Sequence, residues 1–78
     1  MNYCEWFEKA KKSIEPLNYG DTFTLAKLLY SSGWETLSRG EKSNFGKYFK
    51  NEVVNNHIPC IVLIYANGAK QYRKIKNF

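Results

Sequence analysis

Helix breakers and turn formers cut this chain into pieces too short for any large architecture. Pro16, the Asn18-Tyr19-Gly20-Asp21 cluster, Gly33, Pro59 and Asn67-Gly68 divide it into segments of roughly one helix or one strand each. Tyr3, Phe7, Ala10, Ile14 and Leu17 repeat at steps of four, three, four and three, which is the apolar stripe of an amphipathic helix. Asn2 followed by Glu5 marks its start, and Pro16 ends it near Glu15. Thr22-Phe23-Thr24 has the composition of a very short strand. Thr24 then reads as the N-cap of a second helix lined by Leu25, Leu28 and Leu29 and terminated at Gly33.

Ser38-Arg39-Gly40-Glu41 is a capping box, so a third helix begins at about Arg39. Phe45, Phe49 and Val53 form its buried stripe, and Asn55-Asn56-His57 marks its end. After Pro59, the run Cys60-Ile61-Val62-Leu63-Ile64-Tyr65 is rich in strand formers. Ala66-Asn67-Gly68-Ala69 supplies a two-residue type I′ turn, and Lys70 to Lys76 returns as the last strand. The order is therefore α-β-α-α-β-β in one domain spanning residues 1–78. This is an α+β chain with the element order of a winged helix, in which a C-terminal hairpin packs beside a helix-turn-helix.

A chain of 78 residues holds one compact core. Cys4, Cys60 and His57 are too few and too scattered for a zinc site, so neither metal nor cofactor is expected. Both cysteines are read as reduced thiols, and 17% aromatic residues supply the core instead. The apolar run Ile58 to Ala66 is far short of the roughly 20 residues that span a bilayer, and Met1 to Lys12 lacks the apolar stretch of a secretory signal. The expectation is a cytoplasmic protein with no membrane partner. No serine, cysteine or carboxylate has a recognisable base and orienting partner, so an enzyme is not expected.

Charge is divided unevenly. Residues 1–37 hold four lysines against five acids, a net of −1, while residues 38–78 hold eight bases against Glu41 and Glu52, a net of +6. That asymmetry suits a polyanion. Arg39 beside the free amides of a helix start suits a phosphate, and Lys42, Lys47 and Lys50 follow on the same helix, although they cannot all share one narrow face. Across the hairpin, Tyr65 faces Lys70, Leu63 faces Tyr72 and Ile61 faces Lys74. Cys60, Val62, Ile64 and Ile75 then form the natural core face, and Tyr65, Tyr72, Lys70 and Lys74 fall on the other, a base-stacking surface with phosphate contacts. A first strand that is apolar on both sides also fits the reverse, with Leu63 and Tyr72 packed on the helices. Arg73 joins Lys70 and Lys74 as a wing cation. Trp6 and Trp34 are read as core or groove-wall residues, and His57 receives no role.

The segments Gly20-Asp21-Thr22-Phe23-Thr24-Leu25, Leu28-Leu29, Trp34, Leu37-Ser38-Arg39-Gly40-Glu41-Lys42 and Gly46-Lys47-Tyr48-Phe49 resemble a family of small domains long described as of unknown function. Its members occur in mobile genetic elements and phages of Gram-positive bacteria, including staphylococcal cassette chromosome elements. The resemblance covers roughly residues 19–53. It implies a winged-helix protein that prefers single-stranded DNA, and an accessory role in replication or transfer of a mobile element. A replication protein such as a polymerase, primase or helicase is the implied protein partner. Two rival readings are a regulator whose third helix enters the major groove of duplex DNA and a small interaction subunit of a polymerase or primase complex.

The capping box generates a first test. Ser38→Ala removes the N-cap of the third helix and should destabilise the protein by about 0.5–2 kcal/mol in chemical denaturation. Arg39→Ala should leave stability unchanged.

Overall fold

A computed structural model describes residues 2–66 and 68–76. Helix α1 spans Tyr3–Ile14, strand β1 Thr22–Phe23, helix α2 Leu25–Leu28, helix α3 Arg39–Val54, strand β2 Ile61–Ala66 and strand β3 Ala69–Lys74. Among the described residues this is a small α+β arrangement of three α-helices and one three-stranded antiparallel sheet, ordered β1-β3-β2.

Local chemistry sets the helix starts. The Asn2 side chain accepts the Glu5 amide at 3.1 Å, and Thr24 Oγ1 accepts the Lys27 amide at 3.3 Å. At Ser38 the box is reciprocal: Ser38 Oγ accepts from the Glu41 amide at 3.1 Å, and the Ser38 amide donates to Glu41 Oε1 at 3.0 Å. Hydrogen bonding to its carboxyl by the Ser38 amide, and secondarily by the Ser38 hydroxyl, holds the Glu41 pKa below its ordinary value. Helix α3 ends with Asn56 in the left-handed region at φ 62°, where the Asn56 amide reaches Val53 O at 3.0 Å and the His57 amide reaches Glu52 O at 2.9 Å. Those two bonds satisfy carbonyls of the last turn that would otherwise be orphaned. The His57 ring closes onto the Glu52 carboxylate at 2.5 Å, so its contact is a structural one.

The second helix is shorter than its apolar spacing suggests. It stops at Leu28, and two 3-10 turns, Tyr30–Ser32 and Trp34–Thr36, carry the chain to α3. Gly33 stands between them at φ 95°, and Trp34 donates its amide back to Leu29 O at 3.1 Å. Tyr30, Ser31 and Ser32 are weak helix formers, and the tighter turns place both Leu29 and Trp34 in the core, where an extended α-helix would separate them. Trp34 meets Trp6 and Phe45 edge-on, at 6.4 and 6.1 Å between centroids, as expected of core aromatics.

The hairpin has the expected register, with Tyr65 opposite Lys70, Leu63 opposite Tyr72 and Ile61 opposite Lys74. Gly68 adopts φ 77°, while Asn67, the other turn residue, lies outside the described residues. Strand β3 ends at Lys74 instead of Lys76, although Ile75 still donates to Cys60 O at 2.8 Å.

The buried side of the hairpin is not the one expected. Of the expected core face only Cys60 is buried, Val62 and Ile64 are half-buried and Ile75 is exposed, whereas on the other face Ile61 and Tyr72 are in the core and Leu63 is half-buried. The cause lies in β1. Pairing of Phe23 with Tyr72 lines up Phe23, Tyr72 and Leu63 across the sheet on one face. There the Tyr72 ring stacks on Phe23 at 5.8 Å and meets Phe49 of α3 edge-on at 5.0 Å. Large aromatic surfaces outweigh the two aliphatic side chains of the opposite face. Tyr72 is 1% exposed and is therefore not a base-stacking residue.

Tyr72 also carries a penalty. Its hydroxyl is buried without a hydrogen-bond partner among the described residues, and burial, with the nearby Tyr65 as a smaller cause, pushes its pKa up to about 12. A tyrosine that must stay neutral when folded contributes full stability below its unfolded value of about 10, and loses it as pH rises from there toward 12. A rise of about two units corresponds to roughly 2–3 kcal/mol lost between those limits. Tyr72→Phe should therefore be at least as stable as the wild type at neutral pH, by up to about 1 kcal/mol. Its stability should decline less over the alkaline range, as read by urea denaturation at pH 8 and pH 11.

Candidate nucleic-acid interface

Helix α3 presents its Phe45, Phe49 and Val53 stripe to the core and leaves the opposite face to solvent. Arg39 and Lys50 are eleven positions apart, about three full turns, and so lie nearly in line along the helix. Lys47 is rotated from them by less than about 90°. Arg39 and Lys47 are exposed and Lys50 is half-buried. Ser43 lies between Arg39 and Lys47, and Asn51 and Asn44 lie about 40° and 60° beyond Lys47, all three exposed. Both carboxylates of α3, Glu41 and Glu52, lie toward its buried flank, where one bonds Ser38 and the other His57.

Pairing separates these cations from Lys9, Lys11 and Lys42, while among the described residues Lys12, Lys27, Lys70, Arg73 and Lys76 are also without an ion-pair partner. In α1, Lys9 is 3.9 Å from Glu5 and Lys11 is 2.8 Å from Glu8, and Lys9 also sits over the Trp6 ring at 4.4 Å. Lys42 is tied to Glu35 at 3.3 Å and turns away from the solvent face of α3, so the structure removes it from the row of α3 cations. Among the described residues, Arg39, Lys47 and Lys50 have no ion-pair partner. The start of α3 already holds an anion, because the Glu41 carboxylate takes the Ser38 amide. The Ser38 amide expected to be open beside Arg39 is thus already bonded within the capping box.

The hairpin divides its charges between two sides. Tyr65 is 67% exposed and pairs across the strands with Lys70, also exposed, at the end of the hairpin beyond the reach of the helices. Arg73 is exposed on the opposite side of the sheet, between Thr22 and Val62. Its direction separates it from Tyr65 and Lys70.

Lys74 leaves the surface altogether. At 1% exposure its Nζ donates to three backbone carbonyls at the end of α1: Ile14 at 3.0 Å, Glu15 at 2.8 Å and Leu17 at 2.7 Å. A lysine has three donors, and here each has an acceptor. The carbonyls are those a helix C-terminus leaves without partners, and a cation there also complements the helix dipole. Lys74 was expected on the outer face as a phosphate contact, and it is instead the cap of α1.

Not expected from the sequence are the exposed Ser43 and Asn51 of α3, on the same side of Asn44, and the exposed rings of Tyr19 and Tyr30. A step of four from Arg39 reaches Ser43, and a step of four from Lys47 reaches Asn51. Tyr30 stands one place beyond the Leu25, Leu28 and Leu29 stripe, which was the signal that it points outward.

A family model described as a domain of unknown function, DUF1413, matches residues 8–74, from the middle of α1 to the end of β3. The chain belongs to the DUF1413 family. The match takes in all three strands and α3, so the cationic face and the hairpin both lie within the DUF1413 domain. No curated protein and no solved structure matches the chain. Among the described residues of this DUF1413 domain, no helix is long and apolar enough to cross a membrane.

The two wing lysines should behave differently. Lys74→Met leaves three carbonyls without a donor and should cost about 2–4 kcal/mol of stability. Lys70→Met should stay within about 0.5 kcal/mol of wild type. Equilibrium urea denaturation of the two variants checks this.

Proposed function

We propose that this DUF1413 domain is a winged-helix nucleic-acid-binding protein that holds single-stranded DNA against the solvent face of α3 and the end of the hairpin. The observation that carries the reading is the carboxylate-free row of Arg39, Lys47 and Lys50. Three cations without ion-pair partners among the described residues, on one side of one helix, favour a polyanion, and binding there releases counterions from the strand. Tyr65 beside Lys70 supports the single-stranded preference, since one exposed ring next to a cation stacks a base of any identity and reaches its phosphate. The order β1-β3-β2, with the β2–β3 hairpin following α3, is what a winged helix requires. The resemblance to mobile-element proteins adds the expected setting, an accessory role in replication or transfer.

A duplex-binding reading is favoured by Asn44, Asn51 and Ser43, which lie on the exposed side of α3 and are suited to base edges in a major groove. Titrating labelled single-stranded and duplex oligonucleotides of one sequence, at two salt concentrations, distinguishes the two. The single strand should bind more tightly at both. The triple variant Arg39→Gln, Lys47→Gln, Lys50→Gln should weaken binding and flatten the dependence of log K on log salt by about 2, from three lost phosphate contacts at about 0.7 each. Tyr65→Ala should cost about 1–3 kcal/mol of single-strand affinity with the slope retained. Wild-type binding by the triple variant would remove α3 from the interface.

A further inference from the structure

Among the described residues the sheet order leaves β2 paired on one side only, and its other side is an open edge. Its backbone polarity is fixed by neighbouring bonds. Ile75 donates to Cys60 O at 2.8 Å, which makes residues 60 and 75 a hydrogen-bonded pair. Antiparallel pairs alternate, so Val62 with Arg73 and Ile64 with Gln71 are the next bonded pairs. Lys74 confirms the alternation from the far side, since it donates its amide to Asp21 O at 3.0 Å and accepts from the Gly20 amide at 2.8 Å, both toward β1. Ile61, Leu63 and Tyr65 therefore direct their amides and carbonyls to the open edge. The Ile61 amide is used by Ile58 O at 3.3 Å, which leaves the Leu63 and Tyr65 amides as edge donors.

Edge strands usually carry a charge, a proline or a bulge that prevents pairing with another chain. Strand β2 carries none of these: its sequence is Ile-Val-Leu-Ile-Tyr-Ala, with neither glycine nor proline. The other edge, β1, is only two residues long. From the uncharged edge, its backbone direction and its length, we infer that β2 pairs antiparallel with β2 of a second copy of this chain, joining two sheets into one of six strands.

The register follows from the edge donors. Residues whose backbone groups face outward must meet each other, so Leu63 pairs with Leu63 of the second copy and Tyr65 with Ile61. A two-fold axis perpendicular to the sheet passes between the two Leu63 residues, and the helices of both copies lie on one side. Leu63 exchanges two bonds with its copy, and each Tyr65 amide donates to an Ile61 carbonyl. On the other face Val62 of each copy stands opposite Ile64, half-buried aliphatic residues that cover one another.

The net charge of +5 does not oppose this pairing. Lys70 and Arg73 are on β3, one strand in from the edge, so the two β3 strands stand three strand spacings apart, about 14 Å. That exceeds the screening length of about 8 Å at physiological salt. An acidic strand from another protein would gain little from cations so placed, whereas a second copy matches β2 residue for residue.

Sedimentation equilibrium from micromolar to millimolar protein tests the pairing. A monomer–dimer equilibrium is expected, with the Leu63 and Tyr65 amides exchanging more slowly with solvent as concentration rises. Val62→Glu combined with Ile64→Glu places like charges opposite each other across the two-fold and should weaken dimerisation by about tenfold. Val62→Glu combined with Ile64→Lys places opposite charges there and should restore it. Both variants change partly exposed positions, and circular dichroism with thermal melting verifies that each is folded. A wild type that remains monomeric at millimolar concentration overturns the inference. Equal dimerisation by the two charge variants also overturns it, since the register requires them to differ.

Discussion

Three backbone carbonyls at the end of α1 converge on one lysine, and the placement of the sheet follows from that convergence. The Nζ of Lys74 reaches Ile14, Glu15 and Leu17, sixty, fifty-nine and fifty-seven residues away in sequence. An unpaired carbonyl in the interior is costly, and three together would leave the helix end unstable without this donor. Holding Lys74 inward also fixes which side of β3 faces the helices. Tyr72, two residues earlier on the same side, is drawn between Phe23 and Phe49, and Lys70 on that side passes beyond the helices into solvent. One strand face thus grades from a structural cation, through a core aromatic, to a cation free to meet a ligand.

The same constraint divides the basic half of the chain by role. Lys74 is spent on α1 and Lys42 on Glu35, while Arg73 is sent to the reverse side of the sheet. Of the others, Arg39, Lys47 and Lys50 form the row on α3 and, on the hairpin, Lys70 stands beside Tyr65. A net charge counted from composition treats all of these alike. Burial and pairing make them different.

Local signals in the sequence were enough for the helix starts, the element order and the hairpin register, because each depends on residues within a few positions. The capping box at Ser38, the Asn2 cap and the pairing of Leu63 with Tyr72 are of that kind. The buried side of the hairpin was not legible, since β2 is apolar on both faces and only the pairing of Phe23 with Tyr72 breaks the tie. Lys74 reads as an ordinary surface cation because its acceptors are main-chain carbonyls, which any sequence supplies. The short α2 was missed for a related reason: the Leu25, Leu28 and Leu29 stripe continues in pattern although the backbone changes to 3-10 turns. In the candidate site, Arg39, Lys47 and Lys50 were recognisable from charge, and their freedom from carboxylates emerged only once the pairs elsewhere were known.

The strand at the centre of the sheet, β3, is also the last of the three in chain order. During synthesis from the N-terminus, β1 and β2 exist before the strand that joins them, and neither can pair with the other directly. Helix α1 likewise waits for the residue that completes its C-terminal end. Native tertiary structure on a ribosome therefore cannot be reached by adding one finished element to the next. The sheet closes only once β3 has been made, and until then Phe49 of α3 lacks the Tyr72 ring that covers it.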